Sequence, residues 1–463
     1  MKIKVNDFSG GFREDKSDNL KSLGVASKML NFDASSGSLR CVKNVSRFDF
    51  PLGEIDLSGG KVFFFKKYNF STQKREDKLI FLDSTLNAYA LELTDKESGL
   101  RSLGVQFLSP PTALNYRLDG EDVIILVSKE DNMVVWDGVN TPEIVLDAPK
   151  VESMDIHYER LFAVTSGGDG AELKFSDDLD PTNWSESLSD AGTIQLVDDR
   201  GRLLKVVSFN DYLYIFREYG ITRLYANTAL QTSFYVNHLF TSGGRILKNT
   251  ISLAGDHVFF MSTDGFYVFD GASTKKVLEH IFPLIEFSGD ESAIFFNGNY
   301  YLTCKLKNGD GGKVLLEIRR SDFSVKIIAG LNPSGVATLS QENLGALIVV
   351  SEDKGAPIFV VGEEDKIQDA LSLKSLWQSP FLNFDKQIDR KIVRKVEFCV
   401  KNPNASLISF FVLNEEGKSV RIETSKERFS SNLFFEGKEF SVGFEACDKM
   451  VEIVMLSMEI KGG

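Results

Sequence analysis

The chain has 463 residues, 43% of them hydrophobic and 26% charged, with a formal net charge of −13. It is too long for an ordinary single domain, and its composition excludes wholesale disorder. The acidic balance argues against a protein that grips nucleic acid by neutralising phosphates, though not against one past which DNA slides, because an acidic surface repels phosphate.

Aromatic usage leans on Phe, with 37 against 3 Trp, which favours half-buried strands over helices. At the start of the chain, "MKIKVNDFSGG" has neither the apolar core nor the small-residue cleavage site of a secretory leader, so none is expected. Residues 1–51 read as an extended arm ("FSGGF") followed by a hairpin about Gly37 within "NFDASSGSLRCVKN". The best helical window is "NLKSLGVASKML", and it is short. No apolar run approaches the roughly 20 residues of a membrane span. Cys41, Cys304, Cys399 and Cys447 lie far apart without a CxxC pair, which reads as isolated thiols made in a reducing cytoplasm and not as a zinc site.

From Lys78 onward, hairpin-like units recur. They open at Lys78 ("KLIFLDSTLNAYALEL"), Asp122, Arg160, Asp211, Asp256 ("DHVFFMSTDGFYVFDG"), Asn299 and Gly345. Each is a short apolar strand, a turn rich in Gly, Asp, Asn or Lys, and a second strand. Successive starts lie 38 to 51 residues apart, with a mean of about 44.5, which is the spacing of a four-stranded propeller blade. "VVWDG" at 134–138 and "YVFDG" at 267–271 close a strand with Asp-Gly at the same place in the unit. The expected fold is all-β: a β-propeller of about six to eight blades over residues 52–372. Residues 373–463 alternate at period two and read as a small antiparallel sheet or sandwich domain.

Candidate chemistry is sparse. His157, His238, His257 and His280 have no metal-ligand spacing, there is no phosphate loop, and no GxSxG elbow occurs. No catalytic residue, metal site or cofactor is expected. "SDDLDPTNW" at 176–184 is too irregular for an EF-hand, which would need Gly and Glu where Thr182 and Leu188 stand. It echoes the Asp box of sialidase-type propellers through Ser176, Asp178, Thr182 and Trp184, so a glycan-binding or glycan-hydrolysing propeller is the alternative reading. The better reading is a turn with aspartates capping their own backbone. Seven acidic residues (Asp177, Asp178, Asp180, Glu186, Asp190, Asp198 and Asp199) fall between 177 and 199 without a Lys or Arg. They are a candidate channel-facing segment, against the plainer reading of a solvating loop. The basic run "DRKIVRKVEF" reads first as a solvated edge strand. The sharper alternative makes Arg390, Lys391, Arg394 and Lys395 a subunit contact for an acidic partner.

Taken together, the strand ending "FSD", then "DPTNW", then "GTIQLVDDRGRLLKVVSFNDYLYIFREYGITRLY" and "GGRILKNTISLAGDHVFFMSTDGFYVFDG" resemble the propeller of tailed-bacteriophage tail proteins. The "FSGG" arm, "NFDASSGSL" and a C-terminal region opening on "WQSPFLNF" are also similar to that group. The tail hub (packaged-DNA stabilisation) proteins come nearest in plan, then the tail nozzle proteins. The resemblance implies a structural virion protein of the tail, built in the host cytoplasm, in a homo-oligomeric (hexameric) ring below the portal and adaptor. Distal tail or spike proteins would be further partners, and DNA would pass without sequence-specific binding. It carries over no catalytic residue.

Overall fold

The computed structural model describes residues 1–11, 24–53, 55–95, 99–227, 230–307, 309, 311–341, 344–355, 358–367, 369–384, 390–401 and 407–462. Among them there are strands and two short 3-10 turns, no α-helix, and no helix long and apolar enough to cross a membrane.

Seven antiparallel sheets follow one another along the chain and form a propeller. Blade 1 covers residues 61–106, blade 2 112–145, blade 3 151–195, blade 4 203–241, blade 5 252–277 and blade 6 285–328. Blade 7 takes three strands from 333–362 and its fourth, outermost strand, Val45–Arg47, from the other end of the chain. The seven hairpins read from the sequence are the two middle strands of these seven blades. Middle strands are buried on both faces, as in Lys78–Leu82 and Val258–Ser262, where all five positions are buried. Alternate residues of one strand then serve two interfaces. Leu79 and Phe81 pack against blade 7 residues such as Ile348, whereas Ile80 and Leu82 pack against Ile124 and Trp136 of blade 2. Seven apolar clusters, one at each junction between neighbouring blades, close the circle. At about 1.5–3 kcal/mol for each fully buried large aliphatic or aromatic side chain, these junctions dominate stability.

Polar side chains of the inner strands add a second seam. Asn115 (blade 2) donates to Phe64 O at 3.0 Å and accepts from Lys66 N at 2.9 Å (blade 1). Lys205 (blade 4) donates to Ile251 O at 2.7 Å, and the Tyr300 hydroxyl (blade 6) to Thr250 O at 2.7 Å, both at blade 5. Ser334 (blade 7) donates to Gly60 O at 2.8 Å (blade 1). Each satisfies a backbone group that would otherwise be buried unpaired.

The Asp-Gly closures have a local cause. The Asp137 carboxylate accepts the Val139 and Asn140 amides at 2.9 and 2.8 Å, and Asp270 accepts those of Ala272 and Ser273 at 2.9 and 2.7 Å. Gly138 follows at φ +87 and Gly271 at φ +96, a left-handed turn that glycine adopts without steric strain. A side chain at Gly138 would also strike Lys78 and Phe65 of blade 1, 2.9 Å away.

The remaining strands form a two-sheet sandwich. One sheet runs Lys28–Leu30, Ser375–Gln378, Phe440–Ala446, Ile408–Asn414, Ser419–Thr424. The other runs Phe32–Asp33, Leu39–Cys41, Glu452–Gly462, Lys391–Lys401, Arg428–Gly437, with Lys2–Val5 also on Glu452–Gly462. Phe398 meets Phe444 and Phe410 between the sheets, with ring centroids 5.4 and 5.6 Å apart. The segment 1–51, expected as arm plus hairpin, is therefore shared between the sandwich and blade 7. Within the expected helical window, Lys28–Leu30 is a strand on Leu376–Gln378, and residues 19–23 lie outside the described residues. Tertiary pairing outweighs a weak local helix propensity there. The sandwich core is continuous with blades 5 and 6, joining Trp377 and Phe410 to Phe259 and Leu316.

Candidate functional site

The stretch 176–191 links the third and fourth strands of blade 3. Asp180 Oδ1 accepts the Thr182 amide at 2.9 Å and its hydroxyl at 2.6 Å. Asp177 Oδ1 accepts the Asp178 and Asp190 amides at 2.9 and 3.1 Å, while Oδ2 accepts Asn183 Nδ2 at 3.2 Å. Trp184 donates Nε1–H to Pro181 O at 3.0 Å and packs on the junction of blades 2 and 3. Two of the three aspartates in this stretch, Asp177 and Asp180, thus cap their own loop.

The third, Asp178, faces a buried arginine. Arg160 is 2% exposed, donates to Asp190 O at 2.9 Å, and stands 3.9 Å from the carboxylates of both Asp178 and Asp190. A second buried arginine, Arg217 of blade 4, serves the other end of the acidic segment. It is 0% exposed, contacts Asp198 Oδ2 at 2.6 Å and donates to Leu196 O and Gly201 O at 2.8 and 2.7 Å. Burial pushes the Asp198 carboxyl up, but the Arg200 amide and the Arg217 guanidinium outweigh it and hold it below the usual range. Arg200 also approaches Asp198 and Asp199 at 3.5 and 3.6 Å, and His238 Nε2 lies 3.6 Å from Asp198. Glu186 accepts the Thr193 hydroxyl. Three arginines therefore offset charge that looked unopposed along the chain.

The seven acidic residues also fall into two groups. The Leu179 amide bonds Glu159 O at 3.1 Å, which places 177–190 beside the first turn of blade 3. Asp198 and Asp199 lie past the outermost strand Gly192–Gln195, beside the second turn of blade 4. First and second turns of antiparallel blades are on opposite faces. The strand between the two groups spans ~13 Å.

The basic run behaves differently from its expectation. Lys391–Lys401 is not an edge strand but a central one, paired on both sides with Arg428–Gly437 and Glu452–Gly462. A bulge at Arg394 breaks the simple alternation so that Val393, Val396 and Phe398 all point inward, into the core of the sandwich. Lys391 is 1% exposed, with its ammonium on Asn383 Oδ1 at 2.6 Å and Lys438 O at 3.0 Å. Lys395 pairs with Glu397 at 2.6 Å, and Glu397 with Lys2 at 3.2 Å. Arg390 and Arg394 are exposed.

A polar group between the inner strands of blades 3 to 5 has no signature in the sequence. His157 Nδ1 sits 2.9 Å from Ser208 Oγ, and burial pushes its imidazole down to about 4, against the opposing pull of Asp211. Asp155 accepts the Ser208 amide at 2.8 Å, and burial raises its carboxyl. Burial pushes the Lys205 ammonium down to about 8. Lys248 donates to Glu152 O at 2.6 Å. These residues tie blade to blade. A cavity of about 260 Å³ opens beside blade 6, but its charges are already matched, with Lys326 at 3.2 Å from Glu317 and 3.9 Å from Asp33.

No family model and no curated protein matches the chain. Solved structures similar to parts of it include the amino-terminal BBS1 domain in complex with ARL6, at 7% identity and TM-score 0.42 over 62% of this chain and 89% of that one. YCF48 bound to a D1 peptide is similar at 9% identity and TM-score 0.35, over 50% of this chain and 72% of that one.

Proposed function

We propose that the chain is a non-enzymatic structural component of a bacteriophage tail, in a ring that forms part of the DNA conduit and retains packaged DNA until ejection. One observation carries the reading. Three of the segments that share in the resemblance to tail hub and nozzle proteins, each far from the others in sequence, meet at one point. Phe8, from "FSGG", donates its amide to Gly37 O of "NFDASSGSL" at 2.9 Å, and its ring stands edge-on to Trp377 of "WQSPFLNF" at 5.3 Å. Both rings are 0% exposed.

The polar chemistry points the same way. The Asp177 and Asp180 carboxylates are committed to their own loop, and the axis-side charges to neighbouring blades, which suits a scaffold better than a glycan hydrolase. In this role the acidic loops keep phosphates from adhering, over about a Debye length of ~8–10 Å. The test is immunogold labelling of purified tailed particles that carry this gene. Label at the tail vertex is expected, and its absence from particles overturns the proposal.

A further inference from the structure

Among the described residues, two outermost strands are long and carry no charge or proline over most of their length. Edge strands are ordinarily short, or carry Lys, Pro or other charges. Most outer strands here comply: Glu143–Val145 and Gly192–Gln195 are short, Thr274–Val277 carries Lys275 and Lys276, and Ser419–Thr424 carries Arg421 and Glu423. The exceptions are Leu230–Thr241, outermost in blade 4, and Arg428–Gly437, at the end of its sandwich sheet. Within them, Phe234–Thr241 ("FYVNHLFT") and Phe429–Phe435 ("FSSNLFF") have no Lys, Arg, Asp, Glu or Pro. Both also expose large apolar side chains at the edge: Tyr235 is 51% exposed, Val236 40% and Phe434 71%. Each segment contains one bulge, at Leu239 and at Leu433–Phe434, and beside it a run of five, Phe234–His238 and Arg428–Asn432, stays in even register with the inner neighbour.

We propose that these two edges pair with each other between copies of this chain, Phe234–Thr241 of one copy adding a strand to the sheet that ends at Phe429–Phe435 of the next. A second copy fits on charge. The molecule carries −13 overall, so copies repel in general, and an uncharged edge laid on an uncharged edge brings no like charges face to face. The regular runs match in length as well, at ~17 Å each. Because the two edges are different surfaces, the contact is head-to-tail and closes into a ring if its rotation permits. The pairing rests on the ring reading above only for that closure.

The test uses the full chain in sedimentation velocity. Asn237 and Asn432 are exposed at the centres of the two runs. Asn237→Lys with Asn432→Lys sets like charges across the contact and is expected to weaken assembly at least tenfold. Asn237→Lys with Asn432→Glu is expected to restore it. Hydrogen exchange on the unaltered chain tests the same contact without a variant, since the amides of 234–241 and 429–435 gain protection together on assembly. Assembly equally strong in all three chains overturns edge pairing and leaves the proposed function standing. A monomer at every concentration also overturns it, while particle labelling decides the function independently.

Discussion

Ser46 lies directly opposite Val360 in an antiparallel pair, so the last strand of the propeller comes from the first tenth of the chain and closes the ring on a strand more than 300 residues away. Three residues long, this strand is tethered by Val42–Asn44 to the sandwich strand Leu39–Cys41. Directly paired antiparallel positions suit a disulfide. Ser46→Cys with Val360→Cys is expected to stabilise the oxidised protein by about 2–4 kcal/mol. A thermal midpoint that rises on oxidation and returns on reduction is the readout, and no difference would mean the strand does not control unfolding.

Arg217 holds Asp198 and two backbone carbonyls from a fully buried position. Arg217→Ala strips the two carbonyls of this donor and takes the nearest cation from Asp198, and is expected to destabilise by about 3–5 kcal/mol. Arg217→Met with Asp198→Asn should recover part of that, because the stranded charge is gone. Denaturant midpoints of the three chains decide it, and a loss under about 1 kcal/mol in the alanine variant, the scale of an exposed pair, would contradict the assignment.

Acid sensitivity is expected from His157. Its imidazole is pushed from 6.5 to about 4 in the folded protein, so the unfolded chain binds the extra proton first. Stability is then full above the unfolded value of 6.5 and falls as the pH drops towards 4, by on the order of 3 kcal/mol. His157→Gln removes that titration. Unfolding free energies measured near neutrality and near the folded value should differ clearly more for the natural chain than for the variant, and equal differences would refute the point.

Asp177→Ala and Asp180→Ala remove loop caps and are each expected to lower stability by about 1 kcal/mol, with Asp178→Ala milder still. None should alter an activity. Turnover of a sialoside or polysaccharide by the natural chain, abolished in these variants, would revive the glycan reading.

The legible part of this fold was its middle strands. Lys78–Leu82 is a continuous apolar run because both its faces are buried, and such runs stand out in a sequence. Outer strands such as Thr274–Val277 are short and polar and look like loops. The blade partner of Val45–Arg47 is set by ring closure, which no local pattern encodes. Asp198 looked unopposed because the acidic stretch was taken to end at Asp199, just before Arg200, and because its nearer partner Arg217 is 19 residues on and meets it only through the fold. Lys391 looked solvated because it is a lysine in a basic run, and its acceptors, Asn383 and the Lys438 carbonyl, reach it only through the fold.

Whether this chain is a ring-forming part of a phage tail is decided most directly by an averaged electron-microscopic reconstruction of particles carrying it, with antibody against the protein as marker. Density for several seven-bladed propellers around the DNA axis at the tail vertex is the expected result. Particles that lack the protein, while infected cells contain it in quantity, would contradict the proposed role.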